Sequence, residues 1–229
     1  MNTRKRTKKQ YYESGKLYSE VPIVNGVEHG YLMRYYESGE VMSKDKVKNG
    51  KLEGLSRGYY ENGSIKYEES YKNDLHVGIH KIYYPSGYLE KTISFRNGVR
   101  HGFETWYYDN GLIAFKVPYK SGKVDGIVRE YYENANIHSE IRYEEGKKNG
   151  VAKTYDENGN LTQKMNYEND KLNGFLEEYN KDGSLKSKTE YKNGEMNGLR
   201  LQYKNDEVVK REIYVNGKYN FMKSLLRKF

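Results

Sequence analysis

Five histidines are the first residues whose type can support chemistry. His29 and His101 hold the same place in a repeated pattern described below, in the tripeptides EHG and RHG. They are three pattern units apart, roughly 29 Å at strand spacing, so they do not share a metal. His76 and His80 are four apart, the spacing that sets two imidazoles on one helix face for zinc. Gly78 falls between them at a turn-to-strand junction, so that helical geometry is not expected. His138 stands alone, and all five are expected to be ordinary surface histidines. The chain has no Cys, which excludes disulfides and thiolate metal sites. Glu144 and Glu145 are adjacent and in a strand point to opposite faces, which spoils them as an acid–base pair. Gly-rich phosphate loops, nucleophile elbows and paired-His motifs are all missing from the sequence. The expectation is a protein that is not an enzyme, with no catalytic residues, no metal and no cofactor.

Aromatic residues have the better claim on a ligand. Tyr12, Tyr36, Tyr60, Tyr84, Tyr108 and Tyr132 are each the second member of a Tyr-Tyr pair, and the equivalent positions further on are Asp156, Asn180 and Lys204. Trp106, the only Trp, lies two residues before Tyr108 and on the same side of an extended chain. Tyr, Trp and Arg are enriched at binding hot spots, so Trp106 and these tyrosines are expected to form a partner-binding strip. The basic start of the chain (Arg4, Lys5, Arg6, Lys8 and Lys9) gives the alternative, contact with the phosphates of nucleic acid or of a phospholipid surface. Interleaved Tyr and Lys also resemble a stacking platform for single-stranded nucleic acid. Against that, 32 acidic residues are scattered among 40 basic ones and no basic stripe stands out. The net charge of +8 favours a partner that is acidic where it makes contact.

The elements that must position these residues are set by a 24-residue period. Gly30, Gly54, Gly78, Gly102, Gly126, Gly150, Gly174 and Gly198 follow it without a slip. A tyrosine comes five residues after each, from Tyr35 to Tyr203, and Tyr11 extends the series backwards. Aliphatic residues follow six later, as at Val41, Ile65, Leu89 and Ile113, and a second aromatic later still, as at Tyr71, Phe95 and Tyr119. Each unit carries two turn signals, one such as ENGS or KDGS and one such as KNG or VNG. Asn-Gly and Asp-Gly supply the positive φ that tight hairpins require. About five to seven residues remain between turns, which is strand length. Ala135 replaces the glycine of a first turn, and Asp74 and Asp170 replace that of a second. Asp tolerates the left-handed region, so those two departures are mild.

Period-two alternation then assigns faces. Leu55, Arg57 and Tyr59 share one side of a first strand, with Gly58 and Tyr60 on the other. Ile65, Tyr67, Glu69 and Tyr71 alternate against Lys66, Glu68 and Ser70 in the second. The expected result is one continuous aliphatic and tyrosine face and one largely charged face, with the first-strand glycines letting neighbouring rings lie flat on the backbone.

Composition fits a thin sheet. Leu, Ile, Val and Phe make up only about a fifth of the 229 residues, and 26 residues are Tyr. Too few aliphatic side chains are present for a helical bundle or a doubly wound α/β core. No apolar run is long enough to cross a bilayer as a helix, and the basic N-terminus lacks the apolar stretch of a signal peptide. A cytoplasmic protein is expected.

The unit G-x4-YYENG-x-I-x5-Y-K-N-G closely resembles the MORN repeat, in particular the bacterial variant found in YwqK-type antitoxins. The resemblance spans residues 6–217 as nine tandem units, with a basic end at 1–5 and a basic amphipathic cap at 218–229. The segment KYNFMKSLLRKF, with Phe221, Leu225, Leu226 and Phe229, is expected to form a short capping helix. The resemblance implies an all-β, elongated, single-layer antiparallel meander that binds protein or, in some members, phospholipid. It also implies an antitoxin-like or immunity-like inhibitor whose partner is a toxin or nuclease, in a bacterial or phage setting.

Overall fold

The computed structural model describes residues 5–221, and every regular element in it is a strand. The chain divides into two compact units, Met1–Gly111 and Leu112–Phe229. The first contains β1 (Lys5–Tyr11), β2 (Leu17–Val24), β3 (Val27–Glu28), β4 (Gly30–Tyr35), β5 (Val41–Lys48), β6 (Lys51–Tyr59), β7 (Ile65–Lys72), β8 (Leu75–His76), β9 (Gly78–Tyr83), β10 (Leu89–Arg96) and β11 (Val99–Tyr107). The second contains β12 (Ile113–Lys120), β13 (Lys123–Val124), β14 (Gly126–Tyr131), β15 (Ile137–Glu144), β16 (Lys147–Tyr155), β17 (Leu161–Glu168), β18 (Lys171–Leu172), β19 (Gly174–Tyr179), β20 (Leu185–Lys192), β21 (Glu195–Lys204), β22 (Glu207–Val215) and β23 (Lys218–Tyr219). Within each unit the strands pair antiparallel in chain order, as the meander reading requires. No helix among the described residues is long and apolar enough to cross a membrane. Leu225, Leu226 and Phe229 of the expected capping helix lie outside the described residues.

Both kinds of turn follow from their residues. The second turns put two successive residues in the left-handed region, as at Asn25–Gly26 (φ 51° and 85°) and Asn97–Gly98 (φ 51° and 79°). That is the primed geometry matching the twist of a hairpin. The backbone N–H after the first of these residues reaches back to the previous hairpin: Gly50 donates to the Glu28 carbonyl and Gly98 to that of His76, both at 2.8 Å. Asp74 and Asp170 keep this bond, at 3.1 and 3.0 Å to Leu52 and Lys148. Their carboxylates additionally accept the N–H of those same two residues, at 2.7 and 2.8 Å. Asp at these positions therefore adds a bond that glycine has no atom to make. The first turns are five-residue loops, with Tyr60 N–H donating to the Ser64 carbonyl and Gly63 N–H to that of Tyr60. A register shift beside each loop pairs Tyr59 with Ile65 and Gly58 with Tyr67.

That register corrects the expected division of faces. Directly opposed residues of an antiparallel pair share a face, so Tyr67 joins Gly58, and Tyr59 falls on the side of Glu68. The two tyrosine registers thus lie on opposite faces, and neither face is wholly apolar or wholly charged. The glycine reading holds: a Cβ on Gly58 would sit 2.1 Å from the Tyr67 ring, which lies flat on the backbone there. The Gly58 face is the buried one. It includes Val21, Ile23, Val47 and Ile93, but also Ser19, Ser43, Asp45, Ser56, His80 and Glu104. Asp45 is answered by Arg34 and by the Ser43 hydroxyl.

At the start of the first unit, β1 is fully exposed and pairs with β2. Its basic residues serve there as charges on an edge strand, which discourage further pairing. Lys8 pairs with Glu28 at 3.0 Å and Lys9 with Glu20 at 3.5 Å.

Candidate functional site

The six second-position tyrosines stand just past the ends of their strands, half-buried. The Tyr12 hydroxyl donates to the Tyr35 carbonyl at 2.7 Å, Tyr36 to Tyr59 at 2.8 Å, Tyr60 to Tyr83 at 2.7 Å and Tyr132 to Tyr155 at 2.8 Å. Each of these rings reaches 23 residues ahead and fastens one repeat to the next. Desolvation raises the pKa of Tyr12, Tyr84 and Tyr132. Where the series ends, Asp156 instead accepts the N–H groups of Asn158 and Asn160, and Asn180 bonds the Ser184 hydroxyl. Those side chains close their own loops.

Trp106 is half-buried on the Gly58 face. Its indole N–H donates to Glu104 Oε1 at 3.0 Å, and Lys91 Nζ lies 4.0 Å from the ring centre. Arg100 pairs with the other Glu104 oxygen at 3.0 Å. Trp106 therefore sits in a small charged network with part of its ring open.

A row that the sequence reading did not single out lies on the opposite face. The residue after the repeat glycine is apolar and exposed at Tyr31, Leu55, Ile79 and Phe103 in the first unit and at Ile127, Val151 and Phe175 in the second, while Leu199 is half-buried. Their exposure runs from 38% at Ile127 to 60% at Ile79. The signal was present, since this place is apolar after every repeat glycine from Gly30 to Gly198, but alternation alone does not say which face is open. Ion pairs recur beside the row. In the first unit Arg57 and Tyr83 donate to Glu68 at 2.9 and 3.1 Å. In the second, Arg129 and Tyr155 donate to Glu140 at 2.8 and 3.3 Å, and Lys164, Lys188 and Tyr179 converge on Glu177.

The structure also differs over two histidines. His80 is only 2% exposed, and its ring centre lies 4.6 Å from that of His76. Their nitrogens and a Glu69 oxygen all fall within 4.8 Å of one another. His29, His101 and His138 stay outside this group, and His138 pairs with Glu130 at 3.2 Å.

A sheet of stacked hairpins with two turns in each 24-residue unit defines a repeat protein. The chain belongs to the MORN repeat variant family, whose model matches residues 7–25, 52–73, 77–97, 100–121, 124–145, 148–169 and 172–193. The unmatched stretches keep the same strand pattern, as β4 with β5 and β21 with β22 show. A comparison with curated proteins gave no match. Among solved structures, the crystal structures of TcdB2-TccC3-Cdc42 and TcdB2-TccC3-TEV are similar at 11% and 15% identity, with TM-scores of 0.21 and 0.20. They cover 91% and 93% of this chain, which spans only 14% of theirs. The Tc holotoxin pore of Photorhabdus luminescens (mutation TccC3-D651A) gives 10% identity, a TM-score of 0.19 and coverage of 92% and 14%. Likeness at this level carries no argument about what the chain does.

Proposed function

We propose that the chain is a non-enzymatic scaffold that binds another protein through the broad faces of its repeat sheet. The observation that carries this is the exposed apolar row, one residue per repeat, set among Arg, Lys and Glu side chains. Large exposed side chains recurring in register offer a contact surface built for length rather than depth, which suits a macromolecule better than a small substrate. The half-open Trp106, with Tyr84 and Tyr108, gives the other face of the first unit a second contact region, which Tyr12, Tyr36 and Tyr60 extend, and Tyr132 holds the equivalent place in the second unit. The family resemblance supports an antitoxin-like or immunity-like role, in which binding neutralises a toxin or nuclease. The net charge of +8 favours a partner acidic on its contact surface.

Affinity capture from the cells that make the protein tests this reading. Ile79→Glu with Phe103→Glu should abolish capture of the partner while circular dichroism remains β-rich. Unchanged capture removes the row from the interface. Tyr84→Ala, Trp106→Ala and Tyr108→Ala combined test the second region in the same assay. The competing reading, binding of phospholipid or nucleic acid through β1 and its Lys and Arg residues, predicts affinity that falls steeply with salt.

A further inference from the structure

We propose that Glu69, His76 and His80 form a binding site for a divalent transition cation of the zinc type. In a regular strand, residues four apart are separated by about 13 Å. Here the chain breaks between β8 and β9 at Val77, Gly78 takes φ 74°, and both imidazoles come to one place on the buried face. Glu69 arrives from β7, two residues before Tyr71, which pairs with His76 across the hairpin. A local break and a strand register thus assemble three ligand-bearing side chains.

Several features suit a cation. The three candidate ligand atoms lie within 4.8 Å of one another. Tetrahedral zinc with bonds of about 2.1 Å needs them about 3.4 Å apart, a change within reach of small side-chain rotations. Glu69 is held by the Tyr71 hydroxyl at 2.6 Å, the outer hydrogen bond that orients a ligating carboxylate. His80 is held by the Ser70 carbonyl at 3.3 Å. His76 Nδ1 is buried and has no hydrogen-bond partner. Such an orphan costs free energy, and coordination would supply what it lacks.

Packing supports the site without explaining it. Phe95 stacks on His76 at 5.0 Å and lies 4.5 Å from His80, and Tyr71 lies 4.5 Å from His76. An aromatic cluster accounts for the two rings but not for a carboxylate aimed among them or for the unanswered nitrogen. Two imidazoles and a carboxylate without a thiolate suit zinc and its neighbours over calcium or magnesium. Three protein ligands leave a fourth position for water or for a group from a bound partner.

Calorimetric titration of the purified, chelator-treated full chain with zinc chloride tests the proposal, with thermal melts alongside. One saturable site per chain is expected, together with a rise in melting temperature that grows with zinc concentration. His76→Gln and Glu69→Gln should each weaken binding by at least about tenfold, while His138→Gln leaves it unchanged. His76 is the primary target because its ring is half-exposed, and dichroism of each variant confirms the fold. Absence of saturable binding to the native chain overturns the site, as do equal affinities in the native, His76→Gln and Glu69→Gln proteins. Zinc binding is read without the partner, so failure here leaves the scaffold reading standing, and the reverse also holds.

Discussion

Single residues in this protein mostly succeed or fail by backbone conformation and by the charge set beside them. Ala135 occupies a first-turn place that every other repeat up to β20 gives to glycine, and it holds φ 67° there. Unlike Asp74 and Asp170, it has no side-chain polar atom to recover the cost of the left-handed region. Ala135→Gly should raise unfolding free energy by about 1 kcal/mol, read as a higher urea midpoint. Glu68 shows the electrostatic side. Its burial opposes ionisation, but the hydrogen bonds from Arg57 and Tyr83 outweigh that, and its pKa lies below the ordinary 4.5. A carboxylate depressed on folding stabilises above its unfolded pKa, and that share is lost as pH falls through the folded value. Glu177 behaves alike, held down chiefly by Lys188. Stability should therefore fall as pH drops below about 4.5, and Glu68→Gln should make that acid slope shallower in thermal melts.

At the scale of the hairpin, the decisive bonds run between repeats. Turn amides such as those of Gly50 and Gly98 reach carbonyls of the hairpin before, and tyrosine hydroxyls reach carbonyls of the repeat ahead. A repeat of this kind has little core of its own and draws stability from its neighbours. Tyr36→Phe and Tyr60→Phe each leave a part-buried carbonyl without its donor. Each should cost about 0.5–1.5 kcal/mol in chemical denaturation without loss of β-sheet dichroism. Phe keeps the ring, so partner capture that survives Tyr36→Phe and Tyr60→Phe but is lost in Tyr36→Ala and Tyr60→Ala would locate recognition there in the rings rather than the hydroxyls.

For the molecule as a whole, the question is whether charge or apolar contact governs recognition. The chain carries +8, yet many of its Lys and Arg side chains are already committed to Glu or Asp, among them Lys8, Arg34, Arg57, Arg129 and Lys188. Beside the exposed apolar row, Arg57, Arg129 and Lys188 are among these paired cations, so contact through the row is expected to be apolar rather than electrostatic. Capture of the partner should therefore persist when salt rises from 50 to 200 mM, whereas a polyanion complex making several phosphate contacts would lose about 10³-fold or more in affinity. A titration by fluorescence or interferometry reads the difference directly.

The repeat, its turns and its strand pairing were legible from residue types because each is a short-range matter. Asn-Gly marks a turn in every unit that carries it, and two turns per 24 residues leave only strand-length stretches between them. Even the flat stacking of Tyr67 on Gly58 followed from the missing Cβ. The assignment of faces was not legible, because it hangs on a one-residue register shift beside each loop, and such a shift moves every later side chain to the other side. His76 and His80 were read as ordinary surface histidines, and Glu69 was not joined to them, for a related reason: their meeting depends on a break between β8 and β9 that alternation does not foresee. Sequence alone determined which strands exist and what joins them, since those choices are made by neighbours along the chain. Only the folded chain decided which side chains are buried, which stand open in a row and which converge, since those depend on where each strand lies against the next.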